Sequence, residues 1–451
     1  MSERAPLTPV DRTWLRMERP DNLMMITGVL TFDAPLERAH LDALLRHRLT
    51  FFPRFTQKVV DGVWVPDEDF DLDRHVHYET LAEPADRSTL RARISELVST
   101  AVDPDRPLWS MHVIHNPRDE RTVLLARIHH CIADGFALLY VLLGLTDADP
   151  DTPAERPIEP VRNPVGLGLR KSAAELLAAG KAALEALRAL PATELLKRAG
   201  EVSADLVHLA TLSSEPRTRL RGALQAEKRA AWSGPVPVAE VKRIGKAFGG
   251  ATVNDVLMAA VARSLRSYLE RHGETPAELR TVIPVNLRQG EELKALGNHF
   301  GLVFLELPVG EADGRERLRL VKERMDRLKR SPEAFVLWRL MQLTGVAPKW
   351  VEDLVVRLLG AKTTGVMTNV PGPREPRYLA GEPIQTIMFW VPQTGRVGLG
   401  VSVFSYAGDV RLGLSVDAAL VPDPETVLEA FPRELERLAE AVGAGPSGRP
   451  R

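Results

Sequence analysis

The sequence predicts an α+β fold in two halves, and three observations carry that prediction. Short apolar strands alternate with amphipathic helices along nearly the whole chain. A proline-rich, acidic stretch at residues 147–164 interrupts the alternation once and reads as a linker. At 451 residues the chain is too long for one ordinary core.

The elements follow in order. Residues 23–32 are β-rich and read as a central strand. Residues 36–49 carry Leu41, Leu44, Leu45 and Leu49 at helical spacing. Two short strands at 57–60 and 63–65 flank Asp61-Gly62, a hairpin signal. Residues 90–102 read as a helix. Strands at 109–115 and 123–130 flank the turn Asn116-Pro117-Arg118-Asp119, and an apolar helix follows from Phe136. After the linker, residues 167–213 form a Leu/Ala-rich helical connector that Pro191 breaks, with Thr193 placed to cap its second piece. A second α+β pattern begins near Ala226, with helices at 238–248, 253–271 and 315–330 and strands at 279–285 and 302–307. Two apolar helices span 333–360, separated at Gly345 to Pro348. Strands at 365–369, 384–391, 398–404 and 410–416 precede an amphipathic helix that starts at Pro424. The expected division is therefore an N-terminal unit at 1–146, a connector at 147–225, a C-terminal unit at 226–442 and a disordered tail at 443–451. The boundary between two such halves is a natural place for a ligand.

Hydrophobic residues make up 44% and charged residues 26%, the balance of a globular chain. A net charge of −1 supplies no bulk field for nucleic acid. The single cysteine, Cys131, rules out an internal disulfide and fits a reducing cytoplasm. The first residues lack an apolar signal region, and no apolar run approaches the roughly 18 residues that span a bilayer. The expectation is a soluble or peripheral protein.

The most informative run is His129-His130-Cys131-Ile132-Ala133-Asp134-Gly135, at the end of a strand and the start of a helix. An imidazole with a pKa of about 6.5 can take a proton from an alcohol at neutral pH. Strand alternation sends His129 and His130 to opposite faces, so one of them faces a given cleft. The same divergence argues against both binding one metal ion, and no other His/Cys cluster has ligand spacing. No Gly-x-Ser-x-Gly elbow is present. Cys131 reads as a small apolar filler. Asp134 suits three roles: a helix N-cap, an ion pair that fixes the loop, or a second catalytic carboxylate. Gly135 permits a backbone angle or a close approach that a side chain would block. Thr252 and Asp255 have capping-box spacing at the start of a helix. Capping does not account for Asn254, whose amide can donate to a carbonyl oxygen.

Taken with Pro107-Leu108-Trp109, Asn254-Asp255, Asn369-Val370-Pro371-Gly372-Pro373 and residues 401–408, the His motif resembles the bacterial wax ester synthase/diacylglycerol acyltransferase family. The opening Pro6-Leu7-Thr8-Pro9-Val10-Asp11 and Asn22-Leu23-Met24-Met25 are similar to that family's start. The resemblance runs in order along nearly the whole chain. It implies two chloramphenicol-acetyltransferase-like domains with a tunnel between them. It also implies that His130 is the general base, with His129 and Gly135 beside it, and that Asp134 is mainly structural and paired to an arginine. Arg288, in Pro284-Val285-Asn286-Leu287-Arg288, is the candidate partner by analogy. Trp109 and Asp255 are expected supports, and Asn254 is an expected oxyanion donor.

The implied reaction moves a long-chain acyl group from acyl-CoA to diacylglycerol or a fatty alcohol, with acyl-CoA as co-substrate, no further cofactor and no metal. The apolar side chains of residues 333–360 are candidates to line an acyl tunnel. The connector, with Lys171, Lys181, Arg188, Lys197 and Arg198, is a candidate to lie on a membrane or lipid-droplet surface. Two other readings stand beside this one: a condensation-type enzyme acylating amines or carrier-bound acceptors, and a non-catalytic lipid-binding relative. Oligomeric state is left open.

Overall fold

Hydrogen-bonded strands from both halves of the chain build one of the two main sheets in the computed structural model, which describes residues 4–154, 214–275, 278–288, 296–331, 333–393 and 397–444. The first half contains β1 (Ala5–Pro6), α1 (Pro9–Met17), β2 (Met25–Phe32) and α2 (Arg38–Leu44), which continues into a π-helical turn at Leu45–Leu49. The hairpin β3 (Gln57–Val60) and β4 (Val63–Pro66) follows, then β5 (Val76–Thr80), α3 (Arg87–Val98), β6 (Trp109–His115), β7 (Thr122–His129) and α4 (Gly135–Leu145).

The second half contains β8 (Lys228–Trp232), β9 (Val236–Pro237), α5 (Val238–Phe248), α6 (Val253–Arg271), β10 (Leu279–Asn286), β11 (Phe300–Leu307) and α7 (Gly314–Leu328). It continues with α8 (Glu333–Val346), α9 (Lys349–Ala361), β12 (Gly365–Pro371), β13 (Tyr378–Leu379), β14 (Glu382–Pro383), β15 (Thr386–Trp390), β16 (Leu399–Tyr406), β17 (Asp409–Asp417) and α10 (Glu425–Ala441).

The N-terminal sheet has the order β15-β2-β7-β6-β5, and the C-terminal sheet β11-β10-β12-β16-β17-β8, with β9 beside β17. Both sheets are mixed: β5 and β6 run parallel, as do β10 with β12 and β12 with β16, among otherwise antiparallel pairs. β15 crosses the expected division at residue 226. It leaves the C-terminal half and pairs with β2, Thr386 opposite Thr31 and Trp390 opposite Thr27. Its side chains Ile387 and Met388 join the N-terminal core, which a linear division of the chain would not foresee.

Local chemistry sets the element ends. Thr8 caps α1 by accepting from the Asp11 N–H, with Pro9 at the first helical position. Asp86 caps α3 through the N–H groups of Ser88 and Thr89, so the helix starts before the expected residue 90. It also ends earlier, where the Ser99 and Thr100 hydroxyls bond back to Ser95 O and Glu96 O. Lys228-Arg229-Ala230-Ala231-Trp232 has no strand alternation, yet it becomes edge strand β8 through β17 and an ion pair from Lys228 Nζ to Asp417 Oδ2 at 2.8 Å.

The expected linker is anchored where it begins. Buried Arg48 donates to Leu145 O, Pro153 O and Ala154 O and pairs with Asp147 Oδ2 at 2.7 Å. The rest of the linker and the helical connector, with Thr193 and the five basic residues of the membrane expectation, lie outside the described residues. At the other end Ala444 is buried and its carbonyl accepts from Arg243, so the chain is still packed at the residue after Gly443, where the expected tail begins.

Candidate active site

The His motif forms the junction between the last residue of β7 and the first turn of α4. Asp134 makes that junction. Its Oδ1 accepts from the N–H groups of Phe136 and Ala137, both at 3.1 Å, which caps α4. Its Oδ2 accepts from the His299 N–H at 3.0 Å and from Arg288 Nη1 at 2.5 Å. Arg288 also donates to Gly297 O. The carboxylate is only 3% exposed and every one of these partners is structural, so of the three roles open to Asp134 the geometry supports cap and ion pair together.

The two histidines diverge as strand alternation requires. His129 Nε2 lies 3.0 Å from Glu18 Oε2, and His129 Nδ1 accepts from the Cys131 N–H. Burial disfavours a charge on this ring, but its contacts with Cys131 and Glu18 outweigh burial and raise its pKa to about 10. Burial raises the Glu18 carboxyl pKa, and the bond and charge of His129 more than reverse that, so the net shift is downward. With Nδ1 accepting, the ring proton lies on Nε2 toward Glu18, and the pair braces the loop.

His130 stacks on Trp14, with ring centroids 3.9 Å apart and planes 7° from parallel, and Phe300 lies 5.8 Å away. Its N–H donates to Met24 O, and its carbonyl accepts from Asn298 Nδ2 at 2.6 Å. Its Nδ1 is buried without a hydrogen-bond partner among the described residues. Burial pushes its pKa down to about 4, although the Asp134 charge, its own carbonyl and the Asn298 side chain oppose the shift. The ring is neutral at pH 7, with a lone pair to accept a proton.

A second buried ion pair holds the other side of the loop. Asp11, fully buried in α1, accepts from Arg54 Nη1 at 3.1 Å through Oδ2 and from Asn298 Nδ2 at 2.8 Å through Oδ1. Arg54 Nη1 also donates to Cys131 O and Ile132 O. Gly297 bridges to Ala133 at φ +107°, a left-handed conformation that suits glycine. Trp14, Glu18, Arg54, Asn298 and Phe300 carry no sequence motif that marks them. Asp11 lies in the quoted opening segment and Trp14 one helical turn beyond it, which is the nearest thing to a signal.

Gly135 lines an almost wholly apolar cavity of about 120 Å³. Ile26, Gly28, Ala126 and Ile128 form its sheet wall, α4 its roof, and Val370, Met388 and Phe404 close it from the second half. Continuing the alternation of β7, His130 falls on the same side as Ala126 and Ile128. Gly135 has ordinary backbone angles, and a Cβ there would meet nothing within 4 Å. Its glycine keeps space open and does not relieve a turn.

Asn254 and residues 333–360 depart from expectation, while Asp255 meets it. Asn254 is engaged by a side chain of β12. Its Oδ1 accepts from Asn369 Nδ2 at 2.8 Å, and Asn369 alternates with the cavity-lining Val370, so the pair faces α6 on the other side of the sheet. Asp255 completes the capping box of α6 with Thr252 and supports that helix, away from the His motif. Residues 333–360 do not line the cavity; α8 and α9 pack on α1 instead. Trp109 is a core residue that donates to Phe55 O and stacks on His75, and it serves the site through its neighbour Leu108, whose carbonyl accepts from the His129 N–H.

Two family models match: the wax ester synthase/diacylglycerol acyltransferase catalytic domain over residues 7–257 and the WS/DGAT C-terminal domain over residues 296–439. The chain belongs to the wax ester synthase/diacylglycerol acyltransferase family. It is 30% identical to a probable diacylglycerol O-acyltransferase, tgs1, of Mycobacterium tuberculosis H37Rv, over 96% of this chain and 95% of that one. The wax ester synthase/diacylglycerol acyltransferase from Marinobacter aquaeolei VT8 shares its fold, with a TM-score of 0.70 at 23% identity, covering 97% of this chain and 100% of that one. The first condensation domain of the calcium-dependent antibiotic synthetase shares it at a TM-score of 0.62 and 16% identity, covering 98% of this chain and 96% of that one. Membership in the wax ester synthase/diacylglycerol acyltransferase family makes the chain an O-acyltransferase acting on acyl-CoA and an acyl acceptor, and sets this reading above condensation and passive lipid binding.

Proposed function

We propose that the chain transfers a long-chain acyl group from acyl-CoA to the hydroxyl of a diacylglycerol or fatty alcohol, with His130 as general base. One observation carries the assignment: a neutral, buried imidazole stacked on Trp14 follows directly on the strand whose Ala126 and Ile128 line an apolar cavity, which Gly135 of the same motif also lines. Nδ1 is buried, and the reading assigns the ring proton to it and the accepting lone pair to Nε2.

Nε2 takes the hydroxyl proton as the alcohol oxygen attacks the thioester carbonyl carbon. The tetrahedral intermediate collapses, the C–S bond breaks, and the proton on His130 passes to the leaving CoA thiolate. The products are an ester and free CoA, and no cofactor beyond the co-substrate is consumed. The cavity takes the acyl chain, because a long alkyl group gains about 25 cal/mol per Å² on leaving water. Asp134, Arg288, Asp11, Asn298, Arg54 and the Glu18–His129 pair position the His130 loop.

A lipid acceptor also puts the reaction at a lipid surface, as a peripheral protein on the inner membrane face or on lipid inclusions. No helix among the described residues is long and apolar enough to cross a membrane. Radiolabelled palmitoyl-CoA with diacylglycerol or hexadecanol, separated by thin-layer chromatography, tests the proposal. Wild type forms triacylglycerol or wax ester, and His130→Gln forms neither while keeping its melting temperature. Turnover by folded His130→Gln removes His130 as the base, and no product from wild type with either acceptor removes this acceptor class.

A further inference from the structure

We propose that the outer face of the α8–α9 hairpin docks the protein on an anionic lipid surface. Among the described residues seven large hydrophobic side chains are exposed, and five of them lie on this hairpin: Leu343 (65%), Val346 (66%), Trp350 (68%), Leu354 (41%) and Leu358 (53%). Trp350, Leu354 and Leu358 recur every fourth residue and make one stripe along α9. A soluble surface normally scatters such groups, and a patch that concentrates them marks a binding face.

The charges point to the kind of partner. Glu352 is fully buried, held by Arg16 at 3.1 Å and Lys349 at 3.3 Å, so it does not face outward. The exposed acid Asp353 is already paired with Lys349 at 2.7 Å, and Arg357 is exposed beside the stripe. An apolar stripe with an interfacial tryptophan, its neighbouring acids buried or paired and Arg357 exposed at its edge, fits anionic headgroups over acyl chains. A second copy docking face to face would bring the Arg357 side chains of the two stripes to the same interface, which disfavours that occupant.

The hairpin is seated firmly and close to the chemistry. Gly345 lies so near α1 that a Cβ would stand 1.9 Å from Pro9 O. Thr13 donates to Met341 O and Arg16 to Ala347 O, while Trp338 stacks on His299, whose N–H bonds Asp134. One helix, α1, therefore separates the lipid face from His130, and Trp14 on that helix touches the base. The inference rests on the proposed function for the reason a lipid surface is useful, because the acceptor resides there.

Flotation of the full chain with phosphatidylcholine vesicles, alone or with phosphatidylglycerol, tests it. Wild type floats with the phosphatidylglycerol vesicles and much less with phosphatidylcholine alone. The triple variant Trp350→Ser, Leu354→Ser, Leu358→Ser binds at least tenfold less, with an unchanged melting temperature. Failure of wild type to float, or equal flotation by the triple variant, overturns the docking face; equal flotation on both vesicle types overturns its anionic character. A wild-type dimer that the triple variant dissociates, with no flotation, assigns the face to a second copy instead. Acyl transfer to hexadecanol in detergent micelles, run in parallel, reports on the proposed function alone and is retained by the triple variant.

Discussion

Arg288 and Asp134 are 154 residues apart in the chain and joined by a 2.5 Å ion pair that ties the second half to the His-motif loop. The pair is almost fully buried, and the carboxylate also caps α4. Removing one partner leaves a charge with no water to solvate it, which costs about 3–5 kcal/mol. Arg288→Met is therefore expected to lower the unfolding free energy from urea titration by that amount and to lower turnover as the loop loosens. Adding Asp134→Asn should recover part of the loss, and a double-mutant cycle by urea titration measures the coupling. Simple additivity would show that the pair does not hold the loop.

Trp14 keeps the His130 ring out of water, and burial is the chief reason its pKa falls to about 4. Trp14→Ala admits water and should raise that pKa toward 6.5. Because the neutral ring is the active form, the acid limb of the kcat/KM profile should move to higher pH in the variant. An acid limb that stays in place, or moves down, contradicts the role of the stack.

The same shift links stability to pH. The folded-state pKa of His130 lies below its ordinary 6.5, so the unfolded chain binds more protons between about 6.5 and 4. Stability should therefore fall as pH drops through that window, with the His130 contribution fully present only above it. Chemical denaturation at pH 7 and pH 5 should show a smaller loss for His130→Gln than for wild type.

Gly28 lies in the cavity wall, and a Cβ there would meet only Met388 O, at 4.0 Å. Gly28→Val should fold with little change in stability while filling space that the acyl chain occupies. Competition between palmitoyl-CoA and hexanoyl-CoA should shift toward the shorter donor by about tenfold or more. An unchanged ratio would place the acyl chain elsewhere.

Gly297 adopts φ +107°, and its missing Cβ would stand 3.5 Å from the Arg54 guanidinium and 3.7 Å from Asp11 Oδ2. Gly297→Ala is expected to cost about 1–3 kcal/mol through backbone strain. Calorimetry should show the lower melting temperature, and an unchanged one would mean that the bridge to Ala133 relaxes freely.

Much of the local structure was legible in the amino-acid order because its causes are local. Thr252 and Asp255 announce the start of α6, and Asp61-Gly62 the β3–β4 hairpin, since caps and tight turns are made by neighbouring residues. The divergence of His129 and His130 follows from strand alternation alone. β8 was not legible, because Lys228 to Trp232 has no pattern of its own and becomes a strand only by pairing with β17. Asn254 was misread for a related reason. Its position near a motif says nothing about which sheet face it occupies, and that face depends on Asn369, 115 residues away.

By itself the sequence determined the two-part α+β pattern, the family, and the residue able to accept a proton, because periodicity, motif order and side-chain chemistry are properties of the chain. The tertiary structure decided which groups surround that residue. Trp14, Asn298, Asp11 and Arg288 reach the loop from remote segments, and β15 crosses between halves to help wall the cavity. Burial and ion pairing depend on distances between such segments, and these are set only when the whole chain packs.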